Sequence, residues 1–88
     1  MRGTVFICAS TSDTLYADSL AHWLTSQGFR VDWPGPVPDD HVEANLPRLA
    51  GAAKIVVVLT AAASASKRVG AEVRLALEQR AMPGVVLI

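Results

Sequence analysis

The sequence has one cysteine, two histidines and no excess of charge of either sign. A single Cys, at position 8, rules out a disulfide framework. No CxxC or HxxxH spacing occurs, and this argues strongly against a structural zinc site. Eight Lys and Arg balance eight Asp and Glu, without a basic cluster. This balance argues against a nucleic-acid or anionic-membrane surface, so we expect no nucleic-acid partner.

Long apolar segments are missing as well. The longest uncharged run covers residues 55–66, whereas a membrane span needs roughly 20 mostly apolar residues. The first apolar run, residues 5–9, is shorter than the core of a secretory signal peptide. We therefore expect a cytoplasmic chain without a membrane span. Its 88 residues, 51% of them hydrophobic, are the size of a single domain with enough apolar side chains for a core.

The hydrophobic pattern predicts strands and helices in alternation. The predicted strands cover residues 4–9, 29–33, 54–60 and 85–88, and the predicted helices cover about 14–27, 40–51 and 66–80. The first and third strands are continuous apolar runs, typical of strands buried on both faces, while the second alternates and is half exposed. A βαβαβαβ order of this kind predicts a flavodoxin-like three-layer α/β fold. Its sheet would be parallel, with four strands in the order 2-1-3-4 and helices on both faces.

Several local details follow from the same pattern. Tyr16, Leu20, Trp23 and Leu24 have the spacing of one helical stripe, which predicts that they face the core. Gly28 follows this helix where a left-handed residue is wanted. Pro47 predicts a kink, or two short turns, in the second helical segment. Residues 61–66 are predicted to be a loop of small residues, and residues 82–84 a turn.

The strand order also predicts where a ligand would bind. Open parallel sheets bind ligands at the carboxyl ends of the strands, where the order reverses. Here that crevice lies between the first and third strands, next to the loops at residues 8–13 and 60–66. Two helix N-termini point into it and favour an anion. Glu72 lies about 60° from Val69 around the third helix, so it borders the buried stripe near this crevice.

One alternative chemistry uses Cys8. Residues 8–12 resemble the cysteine loop of sugar-phosphotransferase B subunits, in which the thiolate carries a phosphoryl group. The loop lacks the glycine usual in such loops, and Asp13 would repel a phosphate. The structural alternative is that Cys8 is a small apolar core residue. Dinucleotide and nucleotide-phosphate fingerprints, GxGxxG and GxxxxGK[ST], are absent.

Taken together, the ordered motifs resemble a Toll/interleukin-1 receptor (TIR) domain. Residues 5–13 resemble its first box, an apolar strand followed by Ser and Asp, and residues 32–35 resemble the Pro-Gly loop of its second box. Residues 54–60 resemble its third strand, and Glu72 lies at the position of its acidic residue. The resemblance covers residues 1–88 as a single TIR-like domain, in which we expect the last strand and final helices of the family to be lacking.

The resemblance implies two functions. The first is a signalling or defence module that assembles with copies of itself, or with another TIR-like or adaptor domain. Its interface would contain Trp33, Pro34, Gly35, Pro36 and Val37. The second is NAD⁺ hydrolysis, with Glu72 as the catalytic carboxylate and NAD⁺ bound near Ser10, Thr11, Ser12 and Ser64. No cofactor is implied other than NAD⁺ as a possible substrate.

Each of these residues also has a structural interpretation. Glu72 is spaced to pair with Arg68 one helical turn earlier. Residues 34–38 contain three prolines and are able to serve as a stiff connector. The serines are of the type that caps helix N-termini. Arg68 stands where enzymatic relatives tend to carry Trp, and this departure favours the interaction module over the enzyme.

Overall fold

The computed structural model describes residues 3–79 and 85–88. In chain order the elements are β1 (Thr4–Cys8), a 3₁₀ turn (Thr11–Asp13), α1 (Thr14–Ser26), β2 (Arg30–Asp32), α2 (Leu46–Ala50), β3 (Lys54–Val57), α3 (Ala61–Ala65), α4 (Lys67–Gln79) and β4 (Val85–Leu87). The turn predicted at residues 82–84 lies outside the described residues. The strands and helices otherwise follow the predicted order, with two differences: two helices, α3 and α4, lie between β3 and β4, and the helix predicted over residues 40–51 is confined to α2.

The strands form one parallel sheet in the order β2-β1-β3-β4. Phe6 in β1 is paired with Asp32 of β2 on one side and with Ile55 of β3 on the other. β4 adds three residues beside β3, with Val86 opposite Val56. The predicted parallel α/β fold is confirmed, and so is the predicted strand order β2-β1-β3. This order places the topological reversal between β1 and β3.

Helices cover both faces of the sheet. Because neighbouring strand residues point to opposite faces, Phe6 and Ile7 belong to different halves of the core. Ile7 packs with Ala17 of α1 on one face. Phe6 packs with Leu49 of α2 and Ala76 of α4 on the other face. The ends of α1, α2 and α4 are thereby fixed relative to the carboxyl ends of the strands.

The buried face of α1 differs from the prediction. Tyr16 is 54% exposed and Trp23 is 57% exposed, so the prediction that both face the core is wrong. The side of α1 that carries Ala17 and Ala21 faces the sheet instead, because alanines allow the helix axis to approach the strands closely. The residues that pack there are Ala17, Leu20, Ala21 and Leu24.

The segments around α2 and α3 show how local chemistry sets the helix ends. Residues 61–66 were predicted to form a loop, and this is wrong for residues 61–65, which form the single-turn helix α3. Alanine has the highest helix propensity, and the Thr60 side chain caps α3 by accepting a hydrogen bond from the Ala63 N–H. Pro47 lies in the first turn of α2, where its missing N–H is tolerated. The predicted short turns before it are confirmed, as is the positive φ of Gly28, at 91°.

Candidate functional site

Glu72 lies on α4 and is completely buried. Its Oε2 atom accepts a hydrogen bond from Arg68 Nη1 at 3.0 Å and another from Asn45 Nδ2 at 3.2 Å. In the described part of the chain its Oε1 atom has no hydrogen-bond partner. A buried carboxylate is costly unless it is paired and hydrogen-bonded. Hydrogen bonds from Arg68 and Asn45 therefore offset the cost of burying Oε2, whereas Oε1 is buried without such a bond.

Arg68 joins three separate parts of the molecule. Its side chain is only 2% exposed. Beyond the ion pair with Glu72, Nη2 donates to the Ala9 carbonyl at 2.7 Å and Nε donates to the Val37 carbonyl at 3.3 Å. The pair expected from the spacing of Arg68 and Glu72 is therefore present. The carbonyl contacts were missed, because the sequence gives no sign of which distant backbone groups approach the guanidinium.

Residues 37–39, here called the strap, cross the sheet reversal beside Arg68. The Asp39 carboxylate accepts hydrogen bonds from the Thr11 N–H at 3.2 Å and from Ser66 Oγ at 3.0 Å, and it lies 3.4 Å from Arg68 Nη2. The Thr11 hydroxyl donates to the Val37 carbonyl at 2.8 Å, and the Arg68 N–H donates to the Asp39 carbonyl at 2.8 Å. The strap is thus fastened to the β1 loop and to the start of α4.

The pKa of Asp39 follows from these contacts. Partial burial acts to raise the pKa of this carboxyl, but the Thr11 and Ser66 hydrogen bonds and the charge of Arg68 outweigh that effect. The net result is a pKa below the ordinary value for Asp. The strap therefore carries a negative charge at neutral pH, placed where the sequence analysis expected an anion to bind.

The four residues predicted to surround NAD⁺ are differently placed. Ser10 is buried and its hydroxyl donates to Asp13 Oδ2 at 2.8 Å. Thr11 is exposed and holds the strap, while Ser12 and Ser64 are exposed. Within residues 3–79, none of these four side chains is hydrogen-bonded to Glu72. The structure thus commits the Ser10 and Thr11 hydroxyls to protein partners.

The predicted interface loop, residues 33–37, is anchored at both ends. The Trp33 indole N–H donates to Asp18 Oδ1 of α1 at 2.6 Å, and the Val37 carbonyl accepts from Thr11 and Arg68. Between these anchors Pro34 and Gly35 are half-buried and Pro36 is exposed. Gly35 has a φ of 85°, a left-handed conformation that favours glycine. The loop is therefore ordered at its base and presents Pro36 at its tip.

Cys8 is a core residue in this structure, with no exposed surface. Burial raises the pKa of its thiol above the usual range, and the charge and proximity of Glu72 raise it further, against a smaller opposing effect of Arg68. A phosphoryl carrier requires a reactive thiolate, so this environment does not support the Cys8 alternative.

The described cavities lie away from Glu72. The largest, of about 340 Å³, lies between α1 and the carboxyl end of β3, and Glu72 does not line it. Within residues 3–79 and 85–88, no group of three His, Cys, Asp or Glu side chains is arranged to hold a metal ion. Every helix in these same residues is too short or too polar to cross a membrane.

The strand order, the two helical layers and the loops at the reversal define a doubly wound parallel α/β domain. A sequence model of the TIR domain family matches residues 5–88, and the chain belongs to the TIR domain family. No curated protein and no solved structure gives a significant match. TIR domains are signalling and defence modules, and they generally mediate homotypic or adaptor interactions.

Proposed function

We propose that this TIR domain is a cytoplasmic assembly module whose loop, residues 33–37, docks on a second copy of the chain or on an adaptor of the same family. The anchored loop is the observation that carries the proposal. Hydrogen bonds from Trp33 to Asp18 and from Thr11 and Arg68 to Val37 fix both of its ends. A loop that is already ordered loses little conformational entropy when it docks.

One exposed apolar side chain of α1 lies on the side of this loop. Leu15 is 83% exposed, and it is three residues from Asp18, which anchors Trp33. Residues three apart are neighbours on a helix surface. Tyr16 is also more than half exposed, but it lines the cavity beside β3 instead. Exposed apolar side chains next to a docking loop are suited to an interaction site, and Leu15 is proposed to extend the loop surface.

The loop's role is tested by adding a charge at its tip. Pro36→Asp is the suitable variant, because any side chain at Gly35 would strain the positive φ. Gln27→Glu is the matched control, since it adds the same charge at an exposed position after α1, just before β2 and so at the opposite end of that strand from the loop. Light scattering on concentrated protein should show less association for Pro36→Asp and no change for Gln27→Glu. Equal association of both variants, with the fold intact, would remove the loop from the interface.

A second candidate function is NAD⁺ hydrolysis, and the unpartnered Oε1 atom of Glu72 favours it. A carboxylate in that position is suited to stabilise positive charge that develops on the ribose as nicotinamide leaves. In this proposal Ser10, Thr11, Ser12 and Ser64 border the bound NAD⁺. The strap contacts would have to open first, because Glu72 has no exposed surface. This requirement makes assembly the better-supported function.

Nicotinamide release tests the second candidate. Concentrated wild-type protein is incubated with NAD⁺ and free nicotinamide is measured, beside Glu72→Gln, which keeps the shape of the side chain and removes its charge. Release by the wild type that is lost in Glu72→Gln would support hydrolysis at this residue. Release that persists in Glu72→Gln would contradict the site, and no release from concentrated wild type would leave assembly alone.

A further inference from the structure

The Arg68 guanidinium connects two features that the proposed function treats separately. One is the buried carboxylate of Glu72, held by Arg68 Nη1 at 3.0 Å. The other is the base of the docking loop, where Arg68 Nε reaches the Val37 carbonyl at 3.3 Å and Nη2 lies 3.4 Å from Asp39. The same Nη2 atom donates to Ala9 at the end of β1. A single buried cation therefore bridges α4, β1 and the strap.

The bridge is rigid because its buried half is fully enclosed. Glu72 is completely buried and is also held by Asn45, which is only 3% exposed. The planar guanidinium has donors in fixed directions, so pairing with Glu72 and Ala9 determines where its Nε atom points. That direction is toward the strap. The buried contacts with Glu72 and Ala9 therefore fix the position of the Arg68 Nε atom that holds the strap.

We propose that Arg68 is a positioning residue that clamps the strap, through the Val37 carbonyl and the Asp39 side chain, and so sets the orientation of the docking loop. Arg68 holds the strap from inside the core, and Thr11 and Ser66 also hold the Asp39 side chain of the strap. The inference rests on the proposed function for the role of the loop in docking. The clamp itself is a statement about the strap and is measurable without any partner.

Amide hydrogen exchange on dilute protein, followed by NMR, measures the clamp directly. The Thr11 N–H donates to the Asp39 side chain and the residue-68 N–H donates to the Asp39 carbonyl, so both report whether the strap is in place. The Val58 N–H, which donates to Cys8 in the sheet, reports global stability. A purely structural role would accelerate all three amides together.

The main variant is Arg68→Lys, which retains a charge beside Glu72 but loses the fixed set of guanidinium donors. Arg74→Lys is the matched control, at an exposed position on the same helix. Exchange at the Thr11 and residue-68 amides should be about tenfold faster in Arg68→Lys, since charge-assisted contacts of this kind are lost. Exchange at Val58 should accelerate less than exchange at these two amides, because the Ala9 and Val37 carbonyls lose guanidinium donors and global stability falls somewhat. All exchange in Arg74→Lys should stay at the wild-type rate.

Two outcomes would overturn the clamp. One is wild-type exchange at Thr11 and residue 68 in folded Arg68→Lys, and the other is equal acceleration of Val58. If Arg68→Lys does not fold, Asp39→Ala takes its place and should accelerate the Arg68 amide, while Asp39→Asn should partly restore protection. Wild-type exchange of the Arg68 amide in Asp39→Ala would then refute the clamp.

The clamp and the docking function fail in distinguishable ways. Light scattering of Arg68→Lys is run beside the exchange measurement. Faster strap exchange with unchanged association supports the clamp and counts against the docking loop. Wild-type strap exchange refutes the clamp, while the Pro36→Asp experiment still decides the docking function on its own.

Discussion

Arg68→Met should remove a large part of the stability of this domain. The substitution deletes the guanidinium and leaves Glu72, which has no exposed surface, with Asn45 as its remaining hydrogen-bond partner among residues 3–79 and 85–88. Removing one member of a buried ion pair costs about 3–5 kcal/mol. At roughly 0.05–0.15 kcal/mol per residue, a chain of 88 residues has about 4–13 kcal/mol in total. The variant is therefore expected to be marginally folded.

A second substitution separates the charge from the lost contacts. Glu72→Gln in the Arg68→Met background removes the isolated charge and still lets Asn45 donate to an amide oxygen. The double variant should be more stable than Arg68→Met by about 1–3 kcal/mol, the usual size of coupling between residues in contact. It should stay below wild type, because the Ala9 and Val37 carbonyls lose their donor.

Urea unfolding followed by far-UV circular dichroism gives these free energies, provided that the slope against urea is unchanged. Arg74→Met, at an exposed position on the same helix, is the control and should stay within about 0.5 kcal/mol of wild type. A cost below about 1 kcal/mol for Arg68→Met, or strictly additive effects in the double variant, would refute the reasoning.

Three further predictions concern other parts of the structure. Because the pKa of Asp39 is lowered, its hydrogen bonds are complete above about pH 4 and are lost as the pH falls through that lowered pKa. Protection of the Thr11 amide from exchange should fall over the same pH range, and this acid dependence should be absent in Asp39→Asn. Cys8 should resist iodoacetamide at pH 8 until the protein unfolds, because it is buried with a raised pKa; rapid labelling of folded protein would contradict this. Gly28→Ala should cost about 1 kcal/mol in urea unfolding, because φ is 91°, and an unchanged midpoint would show that the turn adapts freely.

The sheet was predictable because a strand that is buried on both faces has a continuous run of apolar residues. Residues 54–57 read as a continuous apolar run after Lys54, and they occupy a central position. The same pattern could not choose the buried face of α1. The stripe that includes Tyr16 and the stripe that includes Ala17 share Leu20 and Leu24, and both have helical spacing. The stripe that includes Ala17 is the buried one, because small side chains let the helix lie close to the sheet. That choice depends on the shape of the sheet, which the helix sequence does not contain.

The candidate site was predictable only in its local part. The Arg68–Glu72 pair follows from a spacing of four residues on one helix. The contacts of Asp39 with Thr11 and of Asn45 with Glu72 span 28 and 27 residues. They exist because β2 and the turns after it bring distant loops to the reversal. Hydrophobic periodicity does not predict contacts between such distant loops, so the strap and the full burial of Glu72 could be seen only in the structure.

An NMR dilution series tests self-assembly through the loop most directly. Amide shifts are followed from dilute to concentrated protein, in wild type and in Pro36→Asp. The account predicts that Gly35 and Val37 shift with concentration in the wild type and that these shifts are lost in Pro36→Asp. Concentration-dependent shifts confined to another surface, or a spectrum that is unchanged across the series, would contradict homotypic docking through this loop.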